Sequence, residues 1–281
     1  MIKFSCADYS FPLLSRMQVL RLLKLLEFES ADLGLFERNP RFLPSDLMAS
    51  PDSFTRAALE DVNSQELQIA DVFLQIGLEP ADSSANDPNP KVRARSREVF
   101  SRAISFCRTI GCTHMTGLPG VHHGDAERDF VLAAEEATWR LQQCRQSGVV
   151  YSIEPHIGSI CAETASVRRL LAAVPDLTLT LDYGHFICQG EDSAVVHTLL
   201  PHATHVHARS AARGQLQTNL PENTIDFEGM ISGLAASRYH GYIALEYVWI
   251  DWQGCNRSDN LSETILLREQ LRDIAEINRK G

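Results

Sequence analysis

The most constraining feature of this sequence is an alternation. Short β-rich runs are separated by longer amphipathic stretches, and the pattern recurs eight times. The candidate strands start at Lys3-Phe-Ser-Cys-Ala, Ala31-Asp-Leu-Gly-Leu-Phe, Gln68-Ile-Ala-Asp-Val-Phe-Leu-Gln and Thr113-His-Met-Thr-Gly. Four more start at Val149-Val-Tyr-Ser-Ile, Leu177-Thr-Leu-Thr-Leu, Thr204-His-Val-His and Tyr242-Ile-Ala-Leu. Between them lie helix patterns, such as the single apolar face formed by Val99, Phe100, Ala103, Ile104, Cys107 and Ile110. Another, carrying Phe130, Ala134, Ala137, Leu141 and Cys144, is entered through Asp125 as N-cap and left at Gly148. Ser50-Pro51 reads as an N-cap with proline at the first helical position, and Pro175 ends the helix of Val167 to Val174. Asp226 caps a helix with Phe227, Ile231 and Leu234, and Leu267, Leu271 and Ile274 line the last one.

Eight βα units with right-handed crossovers and no break in composition predict an α/β fold, a (β/α)8 TIM barrel forming a single domain over residues 1–281. A doubly wound open sheet would want a glycine fingerprint after the first strand, and Ser10-Phe-Pro-Leu-Leu supplies none. The Pro- and Asn-rich stretch from Pro80 to Pro90 follows the third strand, so it reads as a long loop at the active-site end and not as an interdomain linker.

Composition excludes several function classes. An apolar fraction of 44% with 22% charged residues is that of a globular chain, and no run approaches the ~18 apolar residues of a membrane span. Seven cysteines, none in a CxxC pair, argue against a disulfide framework or a thiolate-bound zinc. The opening segment lacks the basic and apolar regions of a signal peptide, so a cytoplasmic location is expected. A net charge of −10 repels nucleic-acid phosphate. Neither a nucleic acid nor a membrane is an expected partner.

In such a barrel chemistry collects where strands end. Four consecutive strands end in a potential ligand: Glu154, Asp182, His207 and Glu246. Three carboxylates and one imidazole form a hard set that suits Mn2+, Mg2+ or Co2+ better than tetrahedral zinc. Strand alternation points His205 to the same side as His207, where it reads as a packed interior histidine. His185, three after Asp182, is placed to reach a substrate hydroxyl. Arg213, six after His207, is placed to hold a substrate oxygen. His156 faces the mouth or its loop, and His122 or His123 lines the pocket wall. His197, His202 and His240 read as surface residues.

The motifs Ile-Glu-Pro-His, Leu-Asp-Tyr-Gly-His, His-Val-His and Gly-Tyr-Ile-Ala-Leu-Glu-Tyr resemble those of the xylose isomerase-like barrel superfamily, in particular its ketose 3-epimerase-like sugar isomerases and epimerases. The resemblance implies one divalent ion, Mn2+ first among the candidates, on Glu154, Asp182, His207 and Glu246. It also implies substrate contacts at His185 and Arg213, and proton transfer by Glu154 and Glu246 through a cis-enediolate. Two segments depart from the family pattern. The loop after His207 runs Ala-Arg-Ser-Ala-Ala-Arg-Gly, and the segment from Glu246 to Asn256 adds the aromatic bulk of Trp249 and Trp252.

That bulk suits an aglycone, with Trp249 as a contact. The resemblance, which implies a small sugar substrate as partner, also implies an alternative: a lyase, eliminating from a 3-oxo-glycoside, cleaving a C-glycoside or dehydrating a dehydroshikimate-type substrate. A homo-oligomer is expected, or a hetero-oligomer with a small partner subunit if the chain is a glycoside lyase. A trinuclear endonuclease is argued against by Gln215, Gln217 and Asn219, which stand where further metal ligands would be needed. A non-catalytic barrel subunit is argued against by the complete ligand set.

Overall fold

Parallel neighbours cannot be joined by a tight turn, so each strand of this chain is followed by a crossover that carries helix. The computed structural model describes residues 2–38 and 41–280. Its strands are β1 (Lys3–Ala7), β2 (Ser30–Phe36), β3 (Gln68–Gln75), β4 (His114–Gly117), β5 (Val150–Ile153), β6 (Thr178–Asp182), β7 (Ala203–Ala208) and β8 (Tyr242–Leu245). They pair in sequence order, all parallel, and β8 returns to β1 to close the barrel. The TIM barrel expected from the eightfold alternation is the observed fold.

Local signals act where the sequence places them. The Asp125 side chain accepts from the Arg128 amide to start helix Ala126–Gln146, and Asp226 accepts from the Gly229 amide at the start of Phe227–Ala236. Helix Pro51–Ser64 has proline in its first turn, but the Ser50 side chain makes no cap hydrogen bond. A short helix, Pro44–Ala49, precedes it and was not expected, because six residues are too few to show a period. The stretch from Pro80 to Pro90 lies between β3 and helix Pro90–Thr109, at the end of the barrel where strands finish. Among the described residues no helix is long and apolar enough to cross a membrane.

The outward faces of the strands, including Leu33, Leu35, Val72, Met115, Leu179, Leu181, Val206 and Leu245, are buried under the helices. The inward faces are different. A barrel of this kind is ordinarily filled by branched apolar side chains, yet here Ser5, Asp32, Asp71, His114, Thr116, Ser152, Thr180 and His205 are all buried. Groups buried this way cost stability unless each finds a partner. Asp32 and Asp71 are register partners on β2 and β3, two carboxylates side by side. Each is matched by an imidazole: His205 Nε2 lies 2.6 Å from Asp32, and His114 Nδ1 lies 2.6 Å from Asp71. Ser5 donates to the other Asp32 oxygen, and Thr116, Ser152 and Thr180 share their hydroxyl hydrogens. The barrel centre is thus a polar plug that supports the ligands above it.

Candidate active site

The four residues expected as ligands meet at the strand ends. Asp182 closes β6 and is the register partner of His207 on β7, while the Glu154 and Glu246 amides donate to Gly117 and Ala208 carbonyls just past β5 and β8. Adjacent strand ends therefore aim these side chains at one volume. His207 Nδ1 lies 2.5 Å from Glu154 Oε1 and 3.5 Å from Glu246 Oε2. The ligand atoms of Glu154, His207 and Glu246 fall within 4.8 Å of one another, as do those of Glu154, Asp182 and His185. On its far side His207 Nε2 sits 3.7 Å from Asp32 and makes no hydrogen bond, so the imidazole is aimed with Nδ1 toward the carboxylates.

Crowded negative charge governs the electrostatics. Burial pushes the Glu154 carboxyl up to about 7, and the neighbouring Glu246 charge adds to the effect. Burial opposes a charged His207, but the Glu246 and Glu154 carboxylates outweigh it and hold the imidazole well above its ordinary value. His185 is the reverse case: burial drives it down to about 3, only partly countered by Asp182, so it is a neutral imidazole. Burial likewise lowers His156.

The excess negative charge is so large that protons gather on Glu154 and His207, and every donor is a hard oxygen or an imidazole nitrogen. Such a set fits a divalent ion of the Mg2+ or Mn2+ type.

The remaining expected residues fall into two groups. His185 is on helix Tyr183–Cys188, with Nε2 3.6 Å from Asp182 and its ring edge-on to His156 at 6.1 Å. His185 thus stands beside the carboxylate cluster, and His156 Nδ1 lies 3.2 Å from the Glu154 backbone carbonyl. Arg213 is exposed at the tip of the β7 loop and lies against Gly190, away from the carboxylates. His122 is exposed, while the half-buried His123 places Nε2 2.9 Å from Ser84 in the loop between β3 and its helix. Trp249 and Trp252 are 44% and 45% exposed, and Trp252 lies tilted 6.2 Å from the His185 ring.

Sequence reading missed two residues of the site. Arg209 is buried among the ligands: Nε and one terminal nitrogen donate to Asp182 Oδ2 at 2.9 and 2.5 Å, and that nitrogen also donates to Glu246. Strand alternation gave the signal, since position 209 faces the way 207 does. Gln217 joins the loops after β7 and β8. Its amide donates to the Val248 and Cys255 carbonyls at 3.0 and 2.7 Å and accepts from the Val248 amide at 2.8 Å. Beside this clasp Leu216, Val248 and Cys255 pack with Tyr9, Ile157 and Cys188, and Glu154 and Glu246 are left 4% and 3% exposed. A cavity of about 690 Å³ opens at the opposite end of the barrel, lined by Lys3, Gln68, Thr204 and Tyr242 among others, with no carboxylate in its wall.

A family profile described as Xylose isomerase-like TIM barrel matches residues 28–270. Comparison with curated proteins finds no match. Among solved structures, an L-ribulose 3-epimerase is 15% identical with a TM-score of 0.78, covering 100% of this chain and 96% of its own. A probable 3-DHS dehydratase involved in petrobactin synthesis, from Bacillus anthracis, is 17% identical with a TM-score of 0.69, covering 95% of this chain and 99% of its own. A xylose isomerase-like TIM barrel protein from Mycobacterium smegmatis, in complex with magnesium, is 15% identical with a TM-score of 0.73, covering 93% of this chain and 88% of its own. At these identities the likeness is one of fold.

Proposed function

This chain belongs to the xylose isomerase-like TIM barrel family, and on that premise we propose that it is a divalent-metal-dependent sugar isomerase or epimerase acting on a ketose or related polyol. The observation that carries the reading is the pair of buried glutamates, Glu154 and Glu246, flanking His207 Nδ1 from two strands. Mn2+ is the favoured ion and would be held by Glu154, Asp182, His207 and Glu246. Once bound it supplies the charge that polarises a carbonyl and its neighbouring hydroxyl.

The side chains divide the remaining work. One glutamate takes the proton from the carbon next to the carbonyl, and the other returns a proton to that carbon from the opposite side. Burial raises the Glu154 carboxyl when no metal is present, and a bound divalent ion would lower it again, so polarisation of the carbonyl would have to supply most of the acidity. His185, neutral and buried, holds a substrate hydroxyl without adding charge, and His156 closes the wall beside it. The clasped loops would shield the reacting carbon from water during the transfer, and the glutamates would exchange their protons with solvent between turnovers.

The test is isotopic. Turnover of a ketose panel with Mn2+ in D2O should place deuterium at the reacting carbon. Glu154→Gln and Glu246→Gln should each lower kcat by on the order of 10³-fold or more while keeping the fold. Product formed by Glu246→Gln at the wild-type rate would defeat the two-base scheme.

A second reading, a lyase acting on a 3-oxo-glycoside or a dehydroshikimate-type substrate, shares the proton removal. It is favoured by the exposed apolar group of Trp249, Ile250 and Trp252 on the β8 loop, which offers a platform for an aglycone. A product lighter than its substrate would assign the same residues to elimination.

A further inference from the structure

We propose that Arg209 is a resident cation of the carboxylate site, neutralising one of its three charges in advance and thereby setting how tightly the site takes up a divalent ion. The inference rests on the reading that Glu154, Asp182, His207 and Glu246 form a metal site.

Arg209 is 3% exposed, and its ion pairs are with Asp182 and Glu246. Those are two of the four ligands, and they sit on β6 and just past β8, on either side of β7, which carries the arginine toward them. Only a planar fork can reach both strands at once while keeping its charge under burial.

Three ionised carboxylates carry −3, and a divalent ion returns +2. Arg209 supplies the missing unit, so the loaded site is neutral. Without the ion, the same guanidinium keeps Asp182 and Glu246 from driving each other apart. Asp182 cannot turn elsewhere, because its other oxygen accepts from the Gly184 amide at 2.7 Å and caps the helix that carries His185. Arg209 is therefore a positioning residue that acts through the ligands, and its charge opposes the incoming ion.

That opposition gives a sign that separates the proposal from a merely orienting role. In Arg209→Met, two carboxylates lose their partner, so the metal-free protein should melt at a lower temperature. Mn2+ should then bind more tightly than in wild type, on the order of tenfold by titration calorimetry. Added Mn2+ should recover most of the lost melting temperature. Arg209→Lys keeps the charge on a shorter, single-point donor, and its Mn2+ affinity should stay within about threefold of wild type.

Equal or weaker Mn2+ binding in Arg209→Met, with wild type binding normally, would overturn the proposal and leave the metal reading intact. Mn2+ uptake by Arg209→Met but not by wild type would support the opposing charge and overturn metal dependence in the natural chain. Uptake by neither would overturn both.

Discussion

Glu154 and His207 hold protons that a divalent ion must displace. Both titrate above their ordinary values, so loading the site between about pH 6 and 8 should release protons and become tighter as pH rises. Calorimetry in buffers of different ionisation enthalpy would read the release directly, and an affinity flat across that range would contradict the assignment. Asp32 answers a different question at the same scale. It binds Ser5 and His205 and lies beneath His207, so Asp32→Asn removes the charge that two buried hydrogen bonds are made to and should cost about 1.5–3 kcal/mol in a denaturant melt. His197→Ala, away from these partners, should leave Mn2+ affinity unchanged. The position of Glu154, Asp182, His207 and Glu246 at strand ends was legible in sequence because each follows a β-rich run. Arg209 was not, because an arginine two beyond a ligand histidine looks like an ordinary loop cation until the strand is known to carry it inward. Asp71 and His114 were hidden for a related reason. Their strands are buried on both faces, and sequence alone does not say which face looks into the barrel.

Among elements, strands were the most readable, since runs such as Leu177-Thr-Leu-Thr-Leu can form little else at that length. The helix caps at Asp125 and Asp226 were equally plain. Loops were not. Nothing in the sequence shows that Gln217 joins the β7 and β8 loops, because its three hydrogen bonds go to backbone groups more than thirty residues away. Gln217→Ala leaves the Val248 amide and the Val248 and Cys255 carbonyls without that partner. Hydrogen exchange over residues 248–255 should accelerate while strand amides in the barrel stay protected. Unchanged exchange there would mean that packing of Leu216, Val248 and Cys255 holds the loops without the glutamine.

For the whole molecule, the same charges make stability depend on pH in a defined direction. Glu154 is raised in the folded state, so its contribution is intact below its ordinary value of 4.5 and is lost as pH climbs toward about 7, amounting to about 3 kcal/mol. His207 is raised too: its contribution is full below 6.5 and disappears as pH rises through the folded value. Asp32 and Asp182 are lowered despite burial, Asp32 chiefly by His205 and Asp182 chiefly by Arg209. Their contributions are present above 3.8 and fall away in strong acid. Burial lowers His185, His156 and His114, so their contribution is present above 6.5 and is lost as pH falls below it. The metal-free protein should thus melt highest near pH 6.5 and lower near pH 8. Mn2+ at about 100 times its Kd should restore about 2.7 kcal/mol at the higher pH. A melting temperature that rises steadily from pH 5 to 8 without metal would contradict this balance.

The closed mouth has a consequence for time as well as for energy. A metal held by side chains this deeply covered would exchange with solvent only while the β7 and β8 loops were apart, so a chelator would compete with the open fraction and not with the whole population. An ion once captured would leave slowly even if its equilibrium affinity were modest. The occupancy of a freshly purified sample would then record the metal present when the barrel last opened, and not the metal in the buffer around it.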